Sequence, residues 1–202
     1  QMCIRDRIKN KETVPESLKN LLERQGKDEL VKLNKNLKNS NSRFAEQITE
    51  YIKNQTSTIL ALQGPPGTGK TTLIAQVIIG LALKEKRIAI CANSHPAVDN
   101  LLIKIKEISY DKSIDLKVVK SDNSKSIERR NKLNKYSIST IQSKKITKEM
   151  PIVGGTAWAH STDESINNYD VLVIEEAGQM SLANTAVISR CAKSIILVGD
   201  QQ

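Results

Sequence analysis

The stretch Thr58 to Thr72, TILALQGPPGTGKTT, constrains the fold of this chain more than any other feature. Residues 58–62 read as a short buried strand, and TTLIAQVIIGLALKEK from Thr71 has helical spacing. Between them Gly64, Gly67 and Gly69 let the backbone turn sharply and aim its N–H groups inward, while Pro65 and Pro66 stiffen the turn. A buried strand that passes through so tight a loop into a covering helix belongs in a sheet shielded by helices, which commits the chain to an α/β fold.

The same alternation continues downstream. Candidate strands are 58–62, 87–92, 116–119, 151–156, 171–175 and 194–198, and AVDNLLIKIKEI and SLANTAVISRCA between them have helical spacing. Strands apolar on both faces, separated by helices, predict a parallel sheet covered on both sides. Upstream, residues 8–41 read as a helical appendage: leucines at 18, 21, 22, 30, 33 and 37 predict two short amphipathic helices, with Gly26 between them. NSNS at 39–42 marks a hinge, and RFAEQITEYIKN beyond it predicts another helix. The first seven residues, QMCIRDR, fit neither a structural pattern nor a secretion signal and are read as a non-native, adapter-derived tail.

The loop Gln63 to Thr72 satisfies G-x-x-x-x-G-K-[ST] with a strand before it and a helix after it. In that setting the backbone from Gly64 through Gly69, including Thr68, cradles phosphates, and Lys70 supplies a point charge. Thr71 places a hydroxyl on Mg²⁺, and Thr72 continues the helix start. Such a loop needs an acidic strand to hold the metal and orient water. YDVLVIEEAGQMS supplies one, running into Glu175 and Glu176; the alternative for two acids there is a solvated strand end.

Composition excludes several other classes. No apolar run approaches the ~20 residues that span a bilayer. Cys3, Cys91 and Cys191 lack metal-ligand spacing and a disulfide framework, which fits a reducing cytoplasm. The net charge of +9 favours an anionic partner such as nucleic acid. Residues 101–150 carry 13 Lys/Arg against 6 Asp/Glu. Lys117, Lys120, Lys125, Arg129, Arg130, Lys132 and Lys135 there form either one face over a phosphate backbone or a solvated loop region.

GPPGTGKT, CANSHPAVDN, VIEEAGQ and LVGDQQ, in this order, resemble motifs I, Ia, II and the start of III of superfamily 1 helicases, in the branch holding the RNA-decay helicases and RecB-like nuclease-helicases. The wording from Ile152 onward is similar to the helicase half of proteins that fuse a RecB-like nuclease to such a helicase. No nuclease signature is evident in this chain. The resemblance covers about residues 42–202 and implies the first of two RecA-like domains, interrupted within motif III. It implies Mg-ATP as ligand, Glu175 as the metal-side acid and Glu176 as the general base. Gln179 would couple nucleotide state to its neighbours, and Asp200 would lie near the γ-phosphate. Gln47, seventeen positions before Gly64, would read the adenine edge. The implied partners are a single strand, DNA favoured over RNA, and the second RecA-like domain, which brings arginines to the cleft.

Ser94 and His95 fall where motif Ia contacts a strand backbone, the bland alternative for His95 being loop packing before Pro96. Trp158 is the single tryptophan and reads either as a base-stacking residue or as core or interdomain packing. The family pattern usually has Asp-Glu in motif II, so Glu175 shifts the first carboxylate by about one C–C bond. Two other functions stay open at this point. An AAA+ unfoldase or clamp loader shares the loop, but would bring its acid about half as far downstream as the 106 positions from Lys70 to Glu176. A nucleic-acid-binding module could also bind ATP without turnover.

Overall fold

The computed structural model describes residues 44–124 and 126–200, and the expected helices at 8–41 lie outside them. Seven strands form one sheet: β1 Ile59–Gln63, β2 Ile88–Ala92, β3 Val118–Ser121, β4 Ser139–Ile141, β5 Ile152–Gly155, β6 Tyr169–Glu175 and β7 Ala192–Gly199. Their order is β1-β7-β6-β2-β5-β3-β4, and every pairing is parallel. The helices are α1 Phe44–Lys53, α2 Lys70–Ala82, α3 His95–Asp111, α4 Ile127–Asn134, α5 Ala157–His160 and α6 Leu182–Ile188.

The two-residue period of each strand divides the core between the faces. Val171 and Val173 of β6 join Ile88 and Ile90 of β2 under α1, α2 and α3. Leu172 and Ile174, with Ala89 and Cys91, point to the other face, where Met180, Ile188 and Cys191 cover them. The parallel, doubly covered sheet expected from the sequence is therefore present, with the ends of the six expected strands within two residues of expectation. β4 was not expected: its three residues, Ser-Thr-Ile, carry no apolar run, and they pair with β3 alone.

Close backbone approach sets two of the helix positions. A Cβ on Gly154 of β5 would lie 2.8 Å from both Leu102 Cδ1 and Val98 Cγ1, so only glycine lets α3 sit this low on the sheet. A Cβ on Gly80 of α2 would lie 2.8 Å from Thr49 Oγ1, which fixes α1 against the C-terminal half of α2. Lys84 Nζ to Glu50 Oε1 (3.0 Å) ties the same region from outside.

His160 closes the second face. It is buried, packs edge-on to the Tyr169 ring at 5.6 Å, and its Nε2 lies 3.1 Å from the Ile90 carbonyl oxygen. Burial pushes its pKa down to about 4, the bond to Ile90 opposing and the Lys120 charge assisting.

Two outcomes are expected. Gly154→Ala forces the Leu102 and Val98 contacts apart, costing ~1–3 kcal/mol and lowering Tm by roughly 2–10 °C in a thermal melt. The unfolded chain binds a proton at His160 below pH ~6.5, whereas the folded chain does so only near pH 4. The unfolded state therefore holds more protons between these values, and stability falls with acidification through that window, by about 3 kcal/mol from this group. Urea unfolding of the parent and of His160→Asn at pH 7 and pH 5 checks this, the variant losing less stability on acidification.

Candidate nucleotide and strand site

Because all strands run the same way, every loop quoted above as a motif emerges at one edge of the sheet. The register is tight: Gln63 of β1 lies beside Gly199 of β7, Ile174 of β6 beside Leu197, and Ala92 of β2 beside Glu175. Gly64 N donates to the Gly199 carbonyl oxygen at 3.3 Å, so the loop after β1 is stitched to the end of β7.

Gly67 (φ 77°) and Gly69 (φ 81°) adopt the left-handed conformation, and nothing would meet a Cβ at either, so backbone torsion rather than space demands glycine. Gly69 caps α2 without a side-chain acceptor, leaving the first-turn N–H groups of that helix pointing at the loop's hollow. Thr68 Oγ1 donates to the Pro65 carbonyl oxygen at 2.7 Å and braces the turn. Pro66 and Thr72 stand exposed on its flanks. The Lys70 ammonium reaches across, donating to the carbonyl oxygens of Gly64 (2.6 Å) and Pro65 (2.7 Å) and pairing with Asp200 Oδ1 (2.6 Å).

Thr71 Oγ1 donates to Glu175 Oε1 at 3.1 Å, which links the start of α2 to the end of β6. Glu175 is 8% exposed, and its second oxygen, Oε2, is buried with no hydrogen-bond partner among the described residues. Burial lifts its pKa above the ordinary carboxylate value; the Thr71 bond opposes, Glu176 adds to the rise, Lys70 opposes and Asp200 adds. The extra methylene of glutamate relative to aspartate is thus accommodated with the contact to Thr71 kept. Glu176 is exposed and held at φ 54°, a left-handed geometry uncommon outside glycine and asparagine. It turns the chain into the short 3₁₀ segment Ala177–Gln179, where Gln179 is exposed beside the end of β7.

Gln47 is exposed on α1, whose Thr49 packs on Gly80, roughly 15 Å along α2 from Lys70. Its helix lies against the far half of α2 from the phosphate loop.

The second part of the edge follows β2. Ser94 caps α3, its Oγ accepting from Ala97 N at 3.3 Å, and its hydroxyl hydrogen remains available to an external acceptor. His95 starts the helix with Nδ1 buried and unpartnered among the described residues. Burial lowers its pKa, aided by Lys120 and Arg129 and opposed by Asp122 and Asp99, so the ring is neutral at pH 7. Trp158, on α5 beyond β5, is 85% exposed; packing in the core of this domain is therefore excluded.

The basic stretch does not form one face. Lys120 is fully buried, its Nζ 2.9 Å from Asp99 Oδ1, and Arg129 bridges Asp99 (Nε to Oδ2, 3.5 Å) and Asp122 (Nη1 to Oδ2, 2.8 Å). Burial lowers the Lys120 pKa against the pull of Asp99. Burial alone would raise Asp122, but donors from Arg129 and Ser124 hold it below the usual carboxylate value. Sequence reasoning gave Asp99 and Asp122 no role. The available signal was a charge at an inward position: Asp99 within Val98, Leu101, Leu102 and Ile105, and Lys120 following Val118 and Val119.

Gly69→Ala is expected to impose left-handed strain of ~1–2 kcal/mol, seen as a Tm drop of roughly 2–8 °C and a matching loss of nucleotide affinity.

A family profile described as an AAA domain matches residues 32–162. The DNA replication ATP-dependent helicase/nuclease JHS1 of Arabidopsis thaliana is 30% identical over 145 residues, covering 68% of this chain and 10% of that protein. DNA2 of Saccharomyces cerevisiae, with the same description, is 30% identical over 141 residues, covering 68% of this chain and 9% of that protein. The chain thus spans about a tenth of the length of these two relatives. The crystal structure of the DUF1998 helicase MrfA superposes on 94% of this chain and 29% of its own with a TM-score of 0.51, and its 15% identity bears on the fold alone. The chain therefore belongs to this AAA-domain family, as a RecA-like domain of the superfamily 1 helicase type.

Proposed function

We propose that this domain binds Mg-ATP at the loop Gly64–Thr72 and uses it, within a larger protein, to move along a single strand of nucleic acid, with DNA favoured over RNA. The observation that carries the reading is the Thr71–Glu175 bond beside the unpartnered, buried Glu175 Oε2. A hydroxyl and one carboxylate, converging next to a phosphate loop, suit Mg²⁺, which keeps most of its shell as water and phosphate oxygens. When bound, the ion neutralises charge on the β- and γ-phosphates.

The chain's own groups then divide the chemistry. First-turn N–H groups of α2 and the Lys70 ammonium hold the phosphates. Glu176, exposed at the end of β6, accepts the proton of the attacking water as its oxygen bonds to the γ-phosphorus and ADP departs. Asp200, paired with Lys70, and Gln179 lie where presence of the γ-phosphate changes their partners. Ser94 and His95 contact the strand's sugar-phosphate backbone, and the exposed Trp158 stacks on a base. Gln47, exposed on α1, is the residue that reads the adenine edge. The buried thiols Cys91 and Cys191 are compatible with a reducing, cytoplasmic setting.

No helix among the described residues is long and apolar enough to cross a membrane. The described arginines stand away from the nucleotide: Arg87 and Arg190 precede β2 and β7 at the opposite edge, and Arg129 and Arg130 follow β3. In this reading, as the family resemblance implies, the arginine that stabilises the transition state comes from a second RecA-like domain. This also favours, for the chain by itself, binding without appreciable turnover.

The expected outcome is a chain that binds a fluorescent ATP analogue, with affinity lowered at least ~10-fold by Lys70→Ala, and that hydrolyses ATP far below the ~1–10³ s⁻¹ of typical enzymes. In Glu175→Gln, the gain in affinity on adding Mg²⁺ is expected to be lost. Absence of nucleotide binding by the parent chain would refute the reading; fast strand-stimulated turnover would refute the need for a second domain.

A further inference from the structure

Resting on the strand-binding reading above, we propose that the nucleic-acid surface continues past Ser94 and His95 onto the ends of β3 and β4. There Arg130, Lys144 and Lys145 hold a second group of backbone phosphates. Topology supplies the track. From β2 the sheet order runs through β5 and β3 to β4, all parallel, so their C-terminal ends lie in one row with Ser94 and His95 at its start. At about 4.8 Å per strand the row is about 14 Å long, room for about four phosphates at a stacked rise of 3.4 Å.

The structure also sorts the cations. Lys120 and Arg129 are committed inside, where with Asp99 and Asp122 they form a group of two acids and two bases beneath this edge. Lys117 precedes β3, and Lys135 follows α4, which runs back down the sheet, so both stand at the opposite edge. Lys135 lines a cleft there with Lys106, Tyr110 and Asp111 from the far end of α3. Among the described residues, those that remain at the C-terminal edge are Arg130 in the first turn of α4 and Lys144 and Lys145 just after β4, all exposed; Lys125 lies outside the described residues. Glu128 is the exposed acid on that first turn.

The ground under these cations is rigid. Ser143 N donates to Asn123 Oδ1 (3.2 Å), Asn123 Nδ2 donates to Ser143 Oγ (3.3 Å), and Ser121 Oγ lies 3.1 Å from the same hydroxyl. Arg130 Nη2 donates to the Ser124 carbonyl oxygen at 3.2 Å, and Ser124 N donates to Asp122 Oδ1 at 2.7 Å. The β3 and β4 ends are thus tied to each other and to the buried ion group that also anchors α3 behind Ser94 and His95. Held cations in a row with polar side chains between them suit a sugar-phosphate backbone and carry no base preference.

Fluorescence anisotropy of a labelled 20-nucleotide oligothymidine, titrated with the full chain from 50 to 300 mM salt, tests this. Arg130→Ala/Lys144→Ala/Lys145→Ala is expected to bind about 30-fold more weakly at 50 mM salt. Its log Kd against log salt slope should flatten by about 2, at roughly 0.7 per lost single-strand phosphate contact. The opposite-edge variant Lys117→Ala/Lys135→Ala is expected to keep the parental slope. A triple variant with the slope of that control overturns the extended surface and leaves the Ser94–His95 contact standing. A parent chain without salt-dependent strand binding refutes the strand-binding reading and this inference together.

Discussion

The functional surface depends on parallel register. Only because β1, β7, β6, β2, β5, β3 and β4 all point the same way do loops separated by more than a hundred residues arrive at one edge. The pairings Gln63 with Gly199 and Ala92 with Glu175 bring Glu175 within hydrogen-bonding reach of Thr71 and Asp200 within reach of Lys70. A slip of one residue in β6 would turn Glu175 to the other face and exchange it with Ile174. The apolar division of β6, with Val171 and Val173 on one side and Leu172 and Ile174 on the other, opposes that slip.

Along the edge, two regions with different chemistry share this register. At the β1–β7–β6 end, partial charges from helix N–H groups, one lysine and one buried carboxylate suit a phosphate chain with its metal. At the β2–β5–β3–β4 end, a capped helix start, an exposed tryptophan and surface cations suit a longer, less specific anion. β2 and β6 are neighbours, so a displacement at Glu175 is felt directly by the strand that ends at Ala92. The buried Lys120–Asp99 pair joins β3 to α3, and Arg129 joins α4 to the same acid. Buried ion pairs are weak sources of stability, and this one is better understood as a geometric tie between α3, β3 and α4.

Much of this was legible in the residues. The phosphate loop declares itself because its glycines, lysine and threonine follow an apolar run and precede helical spacing, and the parallel sheet follows from strands apolar on both faces. What was not legible depends on long-range packing. A lysine in a basic stretch reads as solvated, yet Lys120 falls on an inward position of β3 and is neutralised by an acid from α3. β4 is too short and too polar to stand out, and it exists because β3 offers an edge. The left-handed turn at Glu176 has no sequence mark at all, since glutamate ordinarily avoids it.

Hydrogen–deuterium exchange of the full chain, with and without a non-hydrolysable Mg-ATP analogue, tests most directly whether one sheet edge gathers the nucleotide site. Protection is expected at residues 64–73, 175–179 and 199–200, three segments far apart in sequence. Protection at the phosphate loop alone, with 175–179 and 199–200 unchanged, would contradict a site shared by β1, β6 and β7.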